Sequence, residues 1–413
     1  MAQYFMRIYF PLAVMLWLGA LSVRAEYFYV TTNSVPVPPY TNWANAATNI
    51  QDAVNVATNA GDIVLVSNGV YTTTTPVFMV GTSNIVALTN AITLKSVSGP
   101  ATTVINGYQD ARCVFISRKA TLDGFTVRNG SVNYSSSEGG GIYIHWRGTN
   151  DADESHHGGT VTNCIVYDNY ASVNGGGISI FNATGIVANC TIYSNTAKYD
   201  GGGMKANTAN SGSMINNCVF WGNKTMDFTT GIQGGGGLFI YRGTITVKNC
   251  LFYRNDSYRS GGGVLLSTYN PGIILESCTI TSNTASDIAG GLCITTTAAA
   301  VDAVVRNLIV WDNYSPTSAD AFTATLLTNS CIGDTNGVPN WNTSGNITNN
   351  PQFVDAANDN YRLGPNSPCV KAGVNEAWMT GAVDLDGHPR IFRGTVDMGA
   401  YEYSFRGTII SFH

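Results

Sequence analysis

The densest group of potentially reactive side chains lies between Ile144 and Val161. His145, His156 and His157 stand there with Asp151, Asp153 and Glu154, placing three of the chain's five histidines within 13 residues. Asp151, Asp153 and Glu154 could supply the oxygen ligands that Ca2+ takes. His156 and His157 with an acid could hold a transition metal, or serve with Asp151 and Asp153 as acid and base groups. Neither set has a standard ligand spacing, and adjacent histidines in an extended loop point in opposite directions. A solvated surface loop is the simpler expectation. Catalysis here would need the loop acids to fold back onto another acid, histidine or arginine.

Aromatic rings form the second group. If Ile142 and Ile144 face a core, strand alternation turns Tyr143 and His145 outward. The same register in later segments turns out Phe181, then Phe239 and Tyr241, with Trp146 beside the loop as a wall. Rings displayed on a flat sheet offer sugars an apolar surface with polar rims, so these six residues are the candidate ligand-binding strip. The plainer alternative is that neighbouring loops, such as 223–234, cover them. Lys205, Arg254 and Glu276 are expected as solvated outer-face residues.

Both groups depend on the elements that carry them. The chain has 413 residues, of which only 11% are charged, with a formal charge of −5 and 45 glycines. A hydrophobic content of 44% suffices for a core, so wholesale disorder is excluded. The absence of basic clustering disfavours nucleic acid or an anionic membrane as partner. Residues 1–25 read as a secretory signal: Arg7, an apolar run from Ile8 to Val23, then Val23-Arg24-Ala25 as a cleavage site. No later stretch approaches the roughly 20 apolar residues of a membrane span.

Self-comparison shows the architecture. Asn163-Cys164-Ile165-Val166-Tyr167-Asp168-Asn169 returns as segments ending in Asn195, Asn223, Asn255, Asn283 and Asn313, at spacings of 26 to 32 residues. Between them lies a glycine run followed by an apolar segment, as in Asn174-Gly175-Gly176-Gly177-Ile178 and Asp200-Gly201-Gly202-Gly203-Met204. Apolar segments of three to six residues are too short for helices and read as strands. Several strands per unit of this length make one coil of a parallel β-helix, which must stack on its neighbours to bury its apolar face. Roughly nine to eleven coils spaced about 4.8 Å apart are expected, an all-β solenoid about 45–50 Å long. The closing asparagines should form an internal amide ladder. Cys164, Cys190, Cys218, Cys250 and Cys278 should form another column, of buried thiols: five stacked cysteines cannot all pair, and the total of nine is odd.

Tyr29-Val30-Thr31, Ile50-Gln51-Asp52-Ala53-Val54 and Asn68-Gly69-Val70-Tyr71 resemble the opening of right-handed, pectate-lyase-like β-helix proteins. That resemblance implies a short capping helix, and Ile50, Val54 and Ala57 share one helical face. The repeats with Phe220 to Asn223 and Phe252 to Asn255 are similar to those of polymorphic outer-membrane proteins. Asn350-Pro351-Gln352-Phe353, Asp384-Leu385-Asp386-Gly387-His388 and Val396-Asp397-Met398-Gly399-Ala400-Tyr401-Glu402 resemble the choice-of-anchor Q domain, a module of bacterial surface proteins. The expected organisation is a signal (1–25), a right-handed parallel β-helix with an N-terminal cap (26–345), an anchor-like module (346–403) and a tail (404–413). The tail carries neither a sortase motif nor a final apolar helix.

None of these resemblances specifies a reaction. The N-T-D, D-D, G-H-G and R-I-K set of polygalacturonase-like enzymes is absent. Asp168 and Asp312 occupy one column but lie five coils apart, too far to flank a glycosidic bond. The leading expectation is a secreted or surface β-helix that binds glycans without catalysis. The alternatives are a polysaccharide lyase or glycoside hydrolase with its site beside the 145–160 loop, and a structural spacer.

Overall fold

A computed structural model describes residues 24–73, 75–133, 138–146, 158–227, 233–268, 272–296, 303–323, 325–392 and 394–404. The signal-like residues before 24, and the loop candidates Asp151, Asp153, Glu154, His156 and His157, lie outside them.

Short parallel strands stack coil on coil, and each successive pairing is in register. Ten strands, from Gly69–Tyr71 to Cys331–Ile332, build one sheet, which gives ten coils. A larger sheet carries two strand positions per coil, exemplified by Ile142–His145 and Gly158–Thr162. A third, narrow sheet of two-residue strands closes the coil. Below, these are the second, first and third sheets. The expected register holds: Ile142 and Ile144 are wholly buried in the central core with their column neighbours Ile178 and Ile180.

The asparagine ladder is continuous. Each side-chain Nδ2 donates to the Oδ1 on the next coil, from Asn169 to Asn195 at 2.9 Å through to Asn283 and Asn313 at 2.9 Å. The same Oδ1 atoms also accept backbone N–H groups, and the ladder ends where Asn313 donates to Asp320 Oδ1 at 2.8 Å. These amides saturate the turn between the second and third sheets, where an unpaired polar group would be costly.

All nine cysteines are buried free thiols. In the five-membered column each Sγ donates to the carbonyl two residues earlier, at 3.1 to 3.3 Å. One thiol orientation recurs on every coil, so neighbouring sulfurs stay about a coil spacing apart, near 4.8 Å, far beyond a disulfide bond.

The glycine runs serve two purposes. Gly201 has φ +62°, the turn conformation that side chains resist, and a Cβ there would also press on the Met204 carbonyl oxygen, whereas Gly203 is needed for space alone. A Cβ on Gly203 would sit 2.6 Å from the Gly237 carbonyl oxygen and 2.9 Å from Asn223 Cγ.

The helix Ile50–Val56 covers the first coils, with Asn49 accepting from Gln51 N at its start and Ile50, Ala53 and Val54 buried. At the other end, residues 350–404 fold back over the outside of the second sheet. Tyr361, Ala400 and Tyr401 pack on Leu251, and Leu363, Cys369 and Met398 on Ile309 and Cys331. Arg390, fully buried, ties this segment to the coils through Asn249 Oδ1 at 3.3 Å and reaches Glu402 at 3.2 Å. Among the described residues no helix is long and apolar enough to cross a membrane.

Candidate functional site

The expected aromatic strip lies on the outer face of the first sheet but is only partly open. His145 pairs in register with Phe181, and Asn207 with Tyr241, on successive strands. His145, Trp146, Phe181 and Tyr241 are half-buried. Tyr143 and Phe239 point outward as expected yet are 6% and 1% exposed, so their display as ligand contacts is corrected. Tyr143 packs with Phe115 beneath Val77 and Met79, which belong to an extra antiparallel hairpin, and the Arg112 guanidinium lies 4.8 Å from its ring. Phe239 is closed in by Leu265, Ile288 and Cys293, with Lys205 Nζ 5.5 Å above it.

Charged groups beneath this strip are committed to internal bonds. Lys205, expected in solvent, is 5% exposed and pairs with Asp200 at 2.9 Å. Burial raises the Asp200 carboxyl above its usual range, and Lys205 works against that shift. Glu138 accepts from Asn174 and from Ser179, both at 2.8 Å. Arg112 spends its donors on Asn84 Oδ1 and the Glu138 and Gly139 carbonyls. Burial pushes the His145 imidazole below its usual pKa, favouring the neutral ring. Glu276 is also corrected: it is 3% exposed and is bridged by Arg306 at 2.9 Å. Arg254 is exposed as expected and pairs with Asp359 at 2.8 Å.

A second aromatic array, on the outer face of the second sheet, was not picked out from the sequence. The middle residue of each strand there, such as Val166, Ile192 and Phe220, points into the core, so the flanking residues face out. The last residues form a ladder. Tyr167 and Tyr193 stack at 4.9 Å and 6°, Tyr193 and Trp221 at 4.4 Å and 3°, and Trp221 and Tyr253 at 6.0 Å and 18°. All four rings are half-buried. Arg128 Nη1 donates to Tyr167 Oη at 3.0 Å at one end, and Tyr361 of the C-terminal segment stands 5.3 Å from Tyr253 at the other. Ile165, Thr191 and Val219 run alongside as a partly exposed apolar column, and Asn163, Asn189 and Asn217 form a third column at the adjoining turn.

Residues 113–353 match the family described as the right handed beta helix region. The chain belongs to that family. No curated protein matches it. The fold of this β-helix protein is similar to that of pectate lyase Pel9A, at 16% identity over 93% of this chain and 98% of that one, with a TM-score of 0.54. Weaker likenesses include pectin methylesterase PemA from Erwinia chrysanthemi, at 12% identity over 76% and 80% of the chains and a TM-score of 0.30. The A-module of mannuronan C-5 epimerase AlgE6 from Azotobacter vinelandii is 14% identical over 73% and 91%, with a TM-score of 0.33. At 16% identity Pel9A shares the fold alone, and function must come from the residues of the β-helix itself.

Among the described residues of the β-helix, no group of three or more His, Cys, Asp or Glu is placed to hold a metal ion. The outward array of the second sheet was nonetheless written in the repeat. Each copy of the asparagine–cysteine motif places Tyr, Tyr, Trp or Tyr at the same position, three residues after the cysteine. Reading that column for its outward direction would have found it.

Proposed function

We propose that this β-helix protein is exported and binds extended polysaccharides without chemically altering them, along the outer face of its second sheet. The stacked ladder of Tyr167, Tyr193 and Trp221 carries the reading. It repeats apolar area and a polar ring atom once per coil, about 4.8 Å, comparable to one sugar unit of an extended chain. The half-buried His145, Trp146, Phe181 and Tyr241 supply a second line of contacts on the first sheet. The signal-like residues 1–25 and the resemblance of residues 346–403 to surface modules support a place outside the cell. The inward commitment of Glu138, Asp200, Lys205 and Arg112 favours binding over catalysis. The shared fold with pectate lyase Pel9A makes turnover the necessary control.

The test is retention of the protein in native gels containing polysaccharide, alongside an assay for new reducing ends and unsaturated uronide absorbance with Ca2+ present. Retention that Trp221→Ala abolishes, without turnover, is expected. Turnover lost in Asp151→Ala, Asp153→Ala or His156→Ala would overturn the reading and place a catalytic site in the loop.

A further inference from the structure

Resting on that reading, we infer that the ligand of the second-sheet face is an uncharged, hydroxyl-rich polysaccharide that lies along the coil axis and is stopped by the C-terminal segment. Three observations carry this: the chemistry of the face, its charge and its length.

The rings of the ladder cover one another's faces, as spacings of 4.4 and 4.9 Å and angles of 3° and 6° require. A ligand arriving from outside therefore meets ring edges and polar ring atoms, not open ring faces. Between this row and the Asn163, Asn189 and Asn217 carboxamides runs the apolar column through Thr191. The face is thus an apolar lane with hydrogen-bonding groups on both sides, repeated on three coils. A sugar chain has the complementary pattern: apolar C–H patches along its middle and hydroxyls, each donor and acceptor, along both margins. Burial keeps the Tyr193 phenol protonated by raising its pKa, so it remains a donor as well as an acceptor.

The three columns contain no charged residue. Cations at their borders are engaged: Arg128 with Tyr167, and Lys95 with Asp123 at 2.6 Å. Asp123 in turn accepts from Asn163 at 2.8 Å. On the adjoining third-sheet side Lys224 pairs with Asp256 at 3.2 Å. At the turn beside the ladder Asp168 is exposed next to Tyr167, while Arg254, exposed next to Tyr253, is paired with Asp359 at 2.8 Å. A polyuronide would bring one carboxylate per sugar along three columns that carry no cation, meeting a single guanidinium, Arg128, at one end of the lane and an aspartate that repels it. That cost removes acidic chains, the class a fold comparison alone would suggest.

The lane also has an end. Val219 already packs at the edge of the C-terminal cluster, and from Tyr253 onward the second sheet is roofed by Tyr361, Tyr401 and Leu385. Three open coils fit about three to four sugar units at the coil spacing.

The experiment uses the full chain and isothermal titration with cello-, manno- and xylo-oligosaccharides of increasing length, against oligogalacturonates. Expected are binding to at least one neutral series, affinity that rises to about four units and then levels, and less than about a twofold change on raising salt. Trp221→Ala and Asn189→Ala should each weaken it about tenfold or more while circular dichroism is unchanged. Salt-sensitive oligogalacturonate binding that Trp221→Ala abolishes would overturn the neutral-ligand inference and keep the ladder as the binding face. Neutral binding indifferent to Trp221→Ala and Asn189→Ala would overturn the ladder reading as well. Affinity that climbs steadily past six units would overturn the stop. A change of oligomeric state in Trp221→Ala, with no glycan bound by either protein, would assign the face to a second copy and overturn both.

Discussion

Replacing Asn223 by alanine tests whether the internal amide ladder holds the coils together. Asn223 Oδ1 accepts the Asn195 backbone N–H at 3.1 Å and Asn195 Nδ2 at 3.0 Å, and its Nδ2 donates to the Ile192 carbonyl at 2.9 Å and Asn255 Oδ1 at 2.9 Å. Alanine leaves the Asn195 N–H and one Asn195 amide hydrogen without partners, and takes from the Ile192 carbonyl one of its two donors, the ladder bond between the paired strands remaining. Asn255 Oδ1 keeps its bond from the residue 223 backbone at 3.1 Å. Two orphaned buried groups cost roughly 1–3 kcal/mol each, and a water admitted to the vacated space would recover part. The expected loss is about 2–5 kcal/mol. It is read from urea unfolding of the full chain by circular dichroism, comparing midpoints at equal slope. Because each coil contacts only its neighbours, amide exchange should also rise first in the coils around residues 195–255. A loss under about 1 kcal/mol with an unchanged slope would refute the view that the ladder bonds are structural.

Gly201→Ala should be at least as damaging as Gly203→Ala, because it combines a φ of +62° with a methyl pressed on the Met204 carbonyl oxygen, whereas the Gly203 methyl meets the Gly237 carbonyl oxygen at 2.6 Å without that backbone strain; comparing their urea midpoints checks this. The column thiols, Cys218 among them, should resist alkylation in the native protein and react fully once unfolded, since all are buried and hydrogen-bonded; native labelling at a rate matching an exposed thiol would contradict that. Burial raises the Glu402 carboxyl to about 8, with Arg390 opposing the shift and Asp397 and Asp384 adding to it. The native state then holds a proton that the unfolded chain releases near the ordinary glutamate value of 4.5, so stability falls as pH rises from about 4.5 to 8. Thermal midpoints across that window should decline, by at most about 1.4 kcal/mol per pH unit from this group, and Glu402→Gln should reduce the slope. A profile identical in wild type and Glu402→Gln would count against a raised Glu402.

The parts of this molecule that could be read from sequence are those the stacking itself constrains. An asparagine recurring every 26 to 32 residues must fall on its counterpart in the next coil, and only the interior makes that placement favourable. The cysteine column follows from the same translation. The failures at Tyr143 and Phe239 have a common cause: alternation gives the direction of a side chain and says nothing of what covers it. Tyr143 is hidden by the Val77–Met79 strand, contributed from more than sixty residues upstream and outside the repeat. Lys205 and Glu276 went wrong for a related reason, since a partner such as Asp200 or Arg306 lets a charge stay buried at a nominally outer position.

The outward ladder was missed because the same motif supplied a conspicuous inward column. Tyr167, Tyr193 and Trp221 share their strands with Val166, Ile192 and Phe220, and no core requirement explains the aromatic choice on the outer side. Further along, that choice has a structural role: Tyr253 packs against Tyr361 and Trp311 against the cluster around Met398 under the C-terminal segment. On the coils of Tyr167, Tyr193 and Trp221 the rings continue as the roof tapers off, its edge marked by Val219 against the Tyr361–Tyr401 cluster. If roofing were their whole purpose, the uncovered positions would be free to carry charge, as Arg128 does one coil earlier. An uncharged, ring-edged lane maintained where the roof stops is therefore the feature that a spacer does not need and a glycan binder does.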